Sequence, residues 1–173
     1  MAKLSAGLLV FRVSSDRAVD VIIVHPGGPF WAKKDLGAWS IPKGEYEEGE
    51  DPYGVALREF EEEIGISPPA GAPIELGELK QPSGKRLSAW AVECEDFDLT
   101  ETRSNTFEME WPRGSGQIQV FPEVDRAAWF SVAEARERLL KGHVAFLDLL
   151  MSSVQGTEGQ TSSSKPQTQG ELF

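Results

Sequence analysis

The sequence predicts an α/β protein, and three observations carry that prediction. Two β-rich runs, "LSAGLLVFRV" and "AVDVIIVH", open the chain on either side of the polar turn "SSDR". A helix with clear start and stop signals lies at 51–65, and more strand-like runs and two helical segments follow it. The 173 residues suit one domain with a sizeable core. A composition of 40% hydrophobic and 26% charged residues is that of an ordinary soluble globular protein.

Taken in order, the first two runs form a hairpin. "PGGPFWAKKDLGAWSIPKGEYEEGEDP" then reads as a long Gly/Pro-rich connection, and loops of that length inside a compact domain are usually functional. Asp51 caps the next helix, Pro52 suits its first turn, and it runs to about Ile64, with Gly65 as the C-terminal glycine. "SPPAGAP" is a linker. "IELGELK" and "RLSAWAVEC" are strands joined by "QPSGK", and "NTFEMEW" and "IQVF" are strand material around "PRGSG". "RAAWF" is a short strand leading into the helix "SVAEARERLL", where Ser131 and Glu134 form a capping box. A last helix, "VAFLDLLM", offers Val144, Phe146, Leu147, Leu149 and Leu150 for burial. The folded domain is expected over residues 1–151. Residues 152–173, "SSVQGTEGQTSSSKPQTQGELF", have too little apolar surface to offset ordering and are expected to be a disordered tail.

The chain is acidic: 17 Lys+Arg against 28 Asp+Glu, a net charge of −11. It lacks the basic footprint that duplex nucleic acid requires. An anionic substrate therefore needs positive charge imported locally, most simply as a metal ion. The single cysteine, Cys94, rules out an intrachain disulfide or a cysteine-rich metal site and reads as a small buried apolar residue. "MAKLSAGLLVF" is explained by a first strand rather than a signal peptide, and no segment has the length of a membrane span. The expectation is a cytoplasmic monomer or homodimer with no membrane partner.

Within the helix at 51–65, "REFEEE" crowds like charges at helical spacing, which folding alone does not favour. At about 100° per residue, with Glu59 at zero, Glu62 falls at about −60° and Glu63 at about +40°. Tyr53, Ala56, Leu57, Phe60 and Ile64 fall at about 60° to 160°, an apolar stripe beside the acidic one. Glu61 and Gly54 point to solvent. Three convergent carboxylates are oxygen ligands for a hard cation, Mg²⁺ or Mn²⁺. Arg58, one turn before Glu62, is placed to pair with it, and a carboxylate spared from coordination suits a general base. A solvated charged face is the plainer account of a Glu-rich helix, and the surrounding register weighs against it.

Five residues separate Gly44 from Glu50, and seven more lead to "REFEEEIGI". This resembles the Nudix box, G-x5-E-x7-R-E-U-x-E-E-x-G-U with U apolar. Gly44, Glu50, Arg58, Glu59, Phe60, Glu62, Glu63, Gly65 and Ile66 fill its nine defined positions. The flanking strands and late helices resemble the rest of a Nudix α/β/α sandwich with a mixed β-sheet, to about Met151. The resemblance implies Mg²⁺- or Mn²⁺-assisted hydrolysis of a nucleoside diphosphate linked to another moiety. By matching position it implies Glu59, Glu62 and Glu63 as metal ligands, Glu59 also as a base, and Glu50 as a weaker ligand. It implies that Gly44 shapes the loop and that a further acid comes from outside the box. Glu123 and Glu110 are the candidates, with Glu123 preferred.

The substrate is set by the surrounding loops. "WSIPKGEYEEGED" resembles the W-x-x-P-K-G-x-x-x-x-G-E run of Nudix enzymes that cleave diadenosine tetraphosphate asymmetrically, with Lys43 placed to meet a phosphate. In "HPGGPFWAKKD" the Gly-Gly suits backbone approach to an anion, Phe30 and Trp31 suit stacking on a base, and Lys33 and Lys34 add positive charge. Plugging of Phe30 and Trp31 into the core is the competing account. His25 and His143 read as structural, and "GKR" at 84–86 reads as a hairpin turn first. The preferred substrate is diadenosine tetraphosphate, giving ATP plus AMP. The alternatives are nucleoside triphosphates giving monophosphate plus pyrophosphate, and a nucleotide sensor that does not cleave.

Overall fold

The computed structural model describes residues 3–155. Strand β1 (Leu4–Val13) turns through Ser14–Ala18 into antiparallel β2 (Val19–Pro26), in the register Phe11↔Val21 to Val13↔Val19. β3 (Lys43–Tyr46) precedes helix α1 (Pro52–Ile64), and β4 (Ile74–Lys80) pairs antiparallel with β5 (Arg86–Glu93). β6 (Thr106–Glu110) and β7 (Ile118–Pro122) form a separate two-stranded hairpin, and β8 (Val124–Ser131) leads into α2 (Val132–Arg138). A 3-10 turn at Lys141–His143 then starts a helix, α3, over 144–155.

The main sheet runs β4-β5-β1-β2-β8, with β3 also on β1. Only β1 and β5 are parallel, so the sheet is mixed. One edge of β1 is divided: residues 11–13 take β2, and Leu4–Gly7 take β3. Between the two, the Leu8 N–H donates to the Pro42 carbonyl at 3.0 Å. This fork turns the chain from the sheet into the segment that enters α1.

Alternate side chains of β1 and β2 go to opposite faces, and both faces are covered. Ala6, Leu8, Val10, Ile22 and Val24 pack under α1 with Val55, Ala56, Phe60 and Ile64. Leu9, Phe11, Val21 and Ile23 pack on the other side with Trp39, Ala135, Leu139, Phe146, Leu147 and Leu150. Burial on both faces explains why these strands read as unbroken apolar runs rather than alternating ones. Helices on the two faces make the expected α/β/α sandwich. Among the described residues no helix is long and apolar enough to cross a membrane.

α1 follows its sequence signals. The Asp51 side chain accepts from the Gly54 N–H, Pro52 opens the helix, and Gly65 closes it at φ 82 with its N–H on the Glu61 carbonyl. The Ser131–Glu134 capping box is present in both directions.

Four elements differ from the sequence reading. Residues 43–46, expected in a loop, are strand β3: "KGEY" has little β-propensity, and its ladder to Leu4–Gly7 makes the strand. β8 extends beyond "RAAWF" in both directions, because β2 offers it partners from Asp20 to Pro26. α2 stops at Arg138, because Trp39 takes the Arg138 carbonyl through its N–H and the Leu140 N–H through its carbonyl. α3 continues to residue 155, past the expected domain end at 151, with Val154 against the core. The rest of the expected tail lies outside the described residues.

Candidate active site

The site is built where β3 meets α1. The Lys43 N–H donates to Glu63 Oε1 at 3.1 Å, and the Glu59 carboxylate fills the space beside Gly44, where a Cβ would overlap it. Gly7 in turn lets β3 lie close to β1: a Cβ there would stand 3.0 Å from the Pro42 carbonyl oxygen. Two glutamates of α1 therefore lean on a strand rather than into open water. The wheel missed why: Val55, one turn before Glu59 on the acidic arc, is buried, so this helix face is covered at its start.

That cover perturbs the acids. The Glu59 side chain is 19% exposed. Burial, then the hydrogen bond and charge of Glu62, push its pKa up to about 7 against the pull of Arg58, and the charge of Glu123 adds to the rise. Burial also pushes Glu63 up to about 7 against the charge and N–H of Lys43, with Glu59 and Glu123 adding to it. Acids shifted this way in one cluster are characteristic of functional sites.

Glu62 stands close enough to Glu59 to push its carboxyl up by like charge. Among the described residues no three acid, histidine or cysteine side chains close on one point as a ready-made ion cage. The donor set nevertheless suits a hard divalent cation. It is all carboxylate oxygen, it is partly desolvated, and a cation relieves the like-charge repulsion that raises Glu59 and Glu63.

Arg58 does not pair with Glu62 as expected. Its guanidinium reaches back to Glu50 Oε2 at 3.5 Å and to Glu59 Oε2 at 3.8 Å. Glu50 is presented for this by the turn before α1, where it accepts from the Glu47 N–H, and that bond, followed by Arg58, holds its pKa low. The two candidate acids outside the box separate. Glu123 lies at the root of the β6–β7 hairpin, and its charge acts on both Glu59 and Glu63. The carboxylate of Glu110 accepts from the Gly114 and Gly116 N–H groups and organises its own turn.

Asn105 ties Glu123 to the helix. Its N–H donates to the Glu62 carbonyl at 3.1 Å, and its carbonyl accepts from the Glu123 N–H at 2.8 Å. The Glu123 carbonyl accepts from the Gly27 N–H at 2.9 Å, so this N–H is engaged and does not face an anion as the sequence reading supposed. The glycines here serve close packing instead. A Cβ on Gly27 would overlap the Pro122 carbonyl, and one on Gly28 would stand 2.9 Å from Phe107.

Phe30 and Trp31 part company. Trp31 packs against the core, with the Lys34 ammonium 5.1 Å from its ring centre. Phe30 is 47% exposed and meets Trp111 of the hairpin edge-to-face at 5.5 Å, with Arg113 over its ring. This pairing was not legible in the sequence, although a tryptophan in a polar hairpin was a signal. Lys33 is exposed on the same loop. His25, fully buried, anchors the loop through Nε2 to the Lys34 carbonyl at 2.6 Å and through Nδ1 to Asp125 at 2.7 Å. His143 Nδ1 accepts from the Ile41 N–H at 3.2 Å, and burial with the nearby Lys43 charge pushes its pKa down to about 3. In "GKR", Lys85 and Arg86 pair with Glu45 and Glu78 rather than facing the site. Cys94 is half-buried, and its thiol donates to Asp96.

Known proteins resemble this chain in sequence and in fold. The family model described as NUDIX domain matches residues 4–150. A pig protein, bis(5'-nucleosyl)-tetraphosphatase [asymmetrical], is 28% identical over 109 residues, covering 57% of this chain and 70% of that protein. Among solved structures, a C. elegans Ap4A hydrolase binary complex superposes with TM-score 0.61 at 18% identity, covering 88% of this chain and 98% of the other. The NUDIX domain of Shewanella oneidensis NrtR complexed with ADP ribose gives TM-score 0.60 at 16% identity, covering 89% of each chain. At such identities these structures speak to the fold.

Proposed function

The chain belongs to the NUDIX family and is a hydrolase acting on phosphoric anhydrides, and we propose that it cleaves a dinucleoside polyphosphate, diadenosine tetraphosphate to ATP plus AMP. The observation that carries this reading is the clamp of Lys43 and Gly44 against Glu63 and Glu59. It places the lysine of the "WSIPKGE" run beside the acid cluster. The 28% identity to the asymmetric tetraphosphatase supports the choice of substrate.

Members of this family use divalent metals, and Glu59, Glu62 and Glu63, with Glu50 and Glu123 as outer acids, are the residues proposed to hold Mg²⁺ or Mn²⁺. When bound, the ion neutralises phosphate charge and lowers the pKa of a coordinated water. The chain's own residues do the rest. Arg58, between Glu50 and Glu59, keeps the acids in register. Glu59 takes the proton of the attacking water. Lys43 meets the phosphate chain as a point charge, and Lys33 adds charge from the adjacent loop. Phe30, exposed beside Trp111, stacks on a base.

The test is incubation with diadenosine tetraphosphate and, separately, nucleoside triphosphates, each with Mg²⁺ or Mn²⁺, followed by anion-exchange separation. ATP plus AMP from the dinucleotide is the expected result. Monophosphate plus pyrophosphate from triphosphates alone assigns the protein to triphosphate cleavage instead. Nucleotide binding with no product in either set makes it a sensor.

A further inference from the structure

Segment 101–105 crosses the C-terminal end of α1 as a strap. The Arg103 N–H donates to the Ile64 carbonyl at 2.7 Å and the Asn105 N–H to the Glu62 carbonyl at 3.1 Å. Both bonds satisfy carbonyls that a helix end leaves without partners. Gly65 lets the strap lie close, because a Cβ there would overlap the Arg103 backbone. The strap's main chain is thus fixed at two points.

The Arg103 side chain is left uncommitted. It is exposed, and it makes no ion pair or side-chain hydrogen bond among the described residues. It nevertheless lines a cavity of about 550 Å³ together with Arg58, Glu61, Glu62 and Asn105. It also borders a recess of about 40 Å³ whose walls include Glu63 and Arg126. Arg103 therefore shares one cavity with Glu62 and another with Glu63, the two ends of the acidic arc. The other arginine of the larger cavity, Arg58, is engaged with Glu50 and Glu59. The negative C-terminal end of α1 favours some cation at this place. It does not account for an exposed arginine that makes no ion pair among the described residues, on a segment sharing cavities with Glu62 and Glu63, in a chain of net charge −11.

We propose that Arg103 is a substrate-binding residue that meets non-bridging oxygens of the polyphosphate from the strap, while Lys43 meets the chain from β3. A guanidinium presents paired N–H donors that match phosphate oxygens, which an ammonium does not. This rests on the phosphoanhydride-hydrolase reading above, and it adds the strap at 101–105 to the segments that build the site.

The test compares wild type with R103Q and R103K by three readouts. These are KM and kcat on the substrate that the wild type cleaves, calorimetric affinity for a methylene-bridged, non-hydrolysable ATP analogue with Mg²⁺, and Tm. For R103Q the expectation is a rise in KM and a loss of analogue affinity of about ten- to a hundredfold, the scale of one hydrogen-bonded charged contact. kcat changes by less than about threefold and Tm is unchanged, because the strap's anchors are backbone groups. R103K recovers part of the affinity. Unchanged analogue affinity in R103Q overturns the proposal, as does a loss confined to kcat. If the wild type cleaves no phosphoanhydride, the hydrolase reading fails, and the analogue titration still decides the role of Arg103.

Discussion

Gly44 and Glu59 share one space: a Cβ on Gly44 would overlap the Glu59 carboxylate. The glycine is therefore needed for its missing side chain rather than for an unusual backbone, since it is not among the positive-φ glycines. The same strand residue's neighbour, Lys43, holds Glu63 through its N–H. The strand and the acidic helix face are thus fitted to each other at two successive residues.

Gly44→Ala follows directly. The methyl group displaces the Glu59 carboxylate, and turnover is expected to fall by on the order of a hundredfold, the scale of a misplacement of about 1 Å. Circular dichroism is expected to stay native, because β3 keeps its ladder to Leu4–Gly7. Wild-type turnover in this variant would remove the role given to the clamp.

Glu63→Gln separates activity from stability. The amide oxygen still accepts from the Lys43 N–H, but the charge is gone. Turnover is expected to drop by at least about 10- to 100-fold, the scale on which loss of even an outer partner of a metal site is felt. The Tm of the metal-free protein at pH 8 is expected to rise, because a charge disfavoured by burial has been removed. A lower Tm at pH 8 would show that the carboxylate is stabilising as it stands.

The pH dependence has a defined sign. Glu59 and Glu63 titrate at about 7 in the fold, against 4.5 as the ordinary value. Their contribution to stability is fully present below about 4.5 and is lost as pH rises through about 7. His143 acts oppositely: its folded value of about 3 lies below 6.5, so it costs stability as pH falls below 6.5. Above pH 6.5 the His143 contribution fades within about one unit, and the two glutamates outweigh it. Between pH 6.5 and 8 in chelator the Tm is expected to fall, and Mg²⁺ or Mn²⁺ is expected to restore it at pH 8. A Tm that is flat across this range, with and without metal, contradicts this account of the acid cluster.

His143 can be tested alone. Its Nδ1 is the acceptor for the Ile41 N–H, just before β3. His143→Leu leaves that buried donor unpaired and is expected to cost about 1–3 kcal/mol in urea unfolding. His143→Asn keeps an acceptor, so it is expected to cost less and to blunt the stability loss below pH 6.5. Equal costs for the two variants would mean that packing, not the hydrogen bond, is what matters there.

Phe30 and Trp31 are expected to diverge. Phe30→Ala should raise KM for a dinucleotide by about 5- to 100-fold, the scale of one base–aromatic stack, with Tm little changed. Trp31→Ala should lower Tm instead, because its ring packs on the core. A lower Tm with unchanged KM in Phe30→Ala would make that residue part of the hairpin's packing.

The sequence by itself determined what depends on neighbours a few residues apart. The limits of α1 lie in Asp51, Pro52 and Gly65, because caps and proline act within one turn. The acidic arc of Glu59, Glu62 and Glu63 follows from the helical period alone. Only the tertiary structure decided what depends on segments far apart in the chain. "KGEY" becomes a strand because Leu4–Gly7 lies beside it. Arg58 turns to Glu50 and Glu59 rather than Glu62, because the preceding turn delivers Glu50 to it. Glu123 rather than Glu110 acts on the cluster, because Asn105 and Gly27 hold the hairpin root there while Glu110 is used in its own turn. Phe30 finds Trp111, and Arg103 reaches the helix end, through contacts between remote segments. Periodicity and capping are local properties of a chain. Which side chain shares a space with which is set by packing, and no local pattern encodes it.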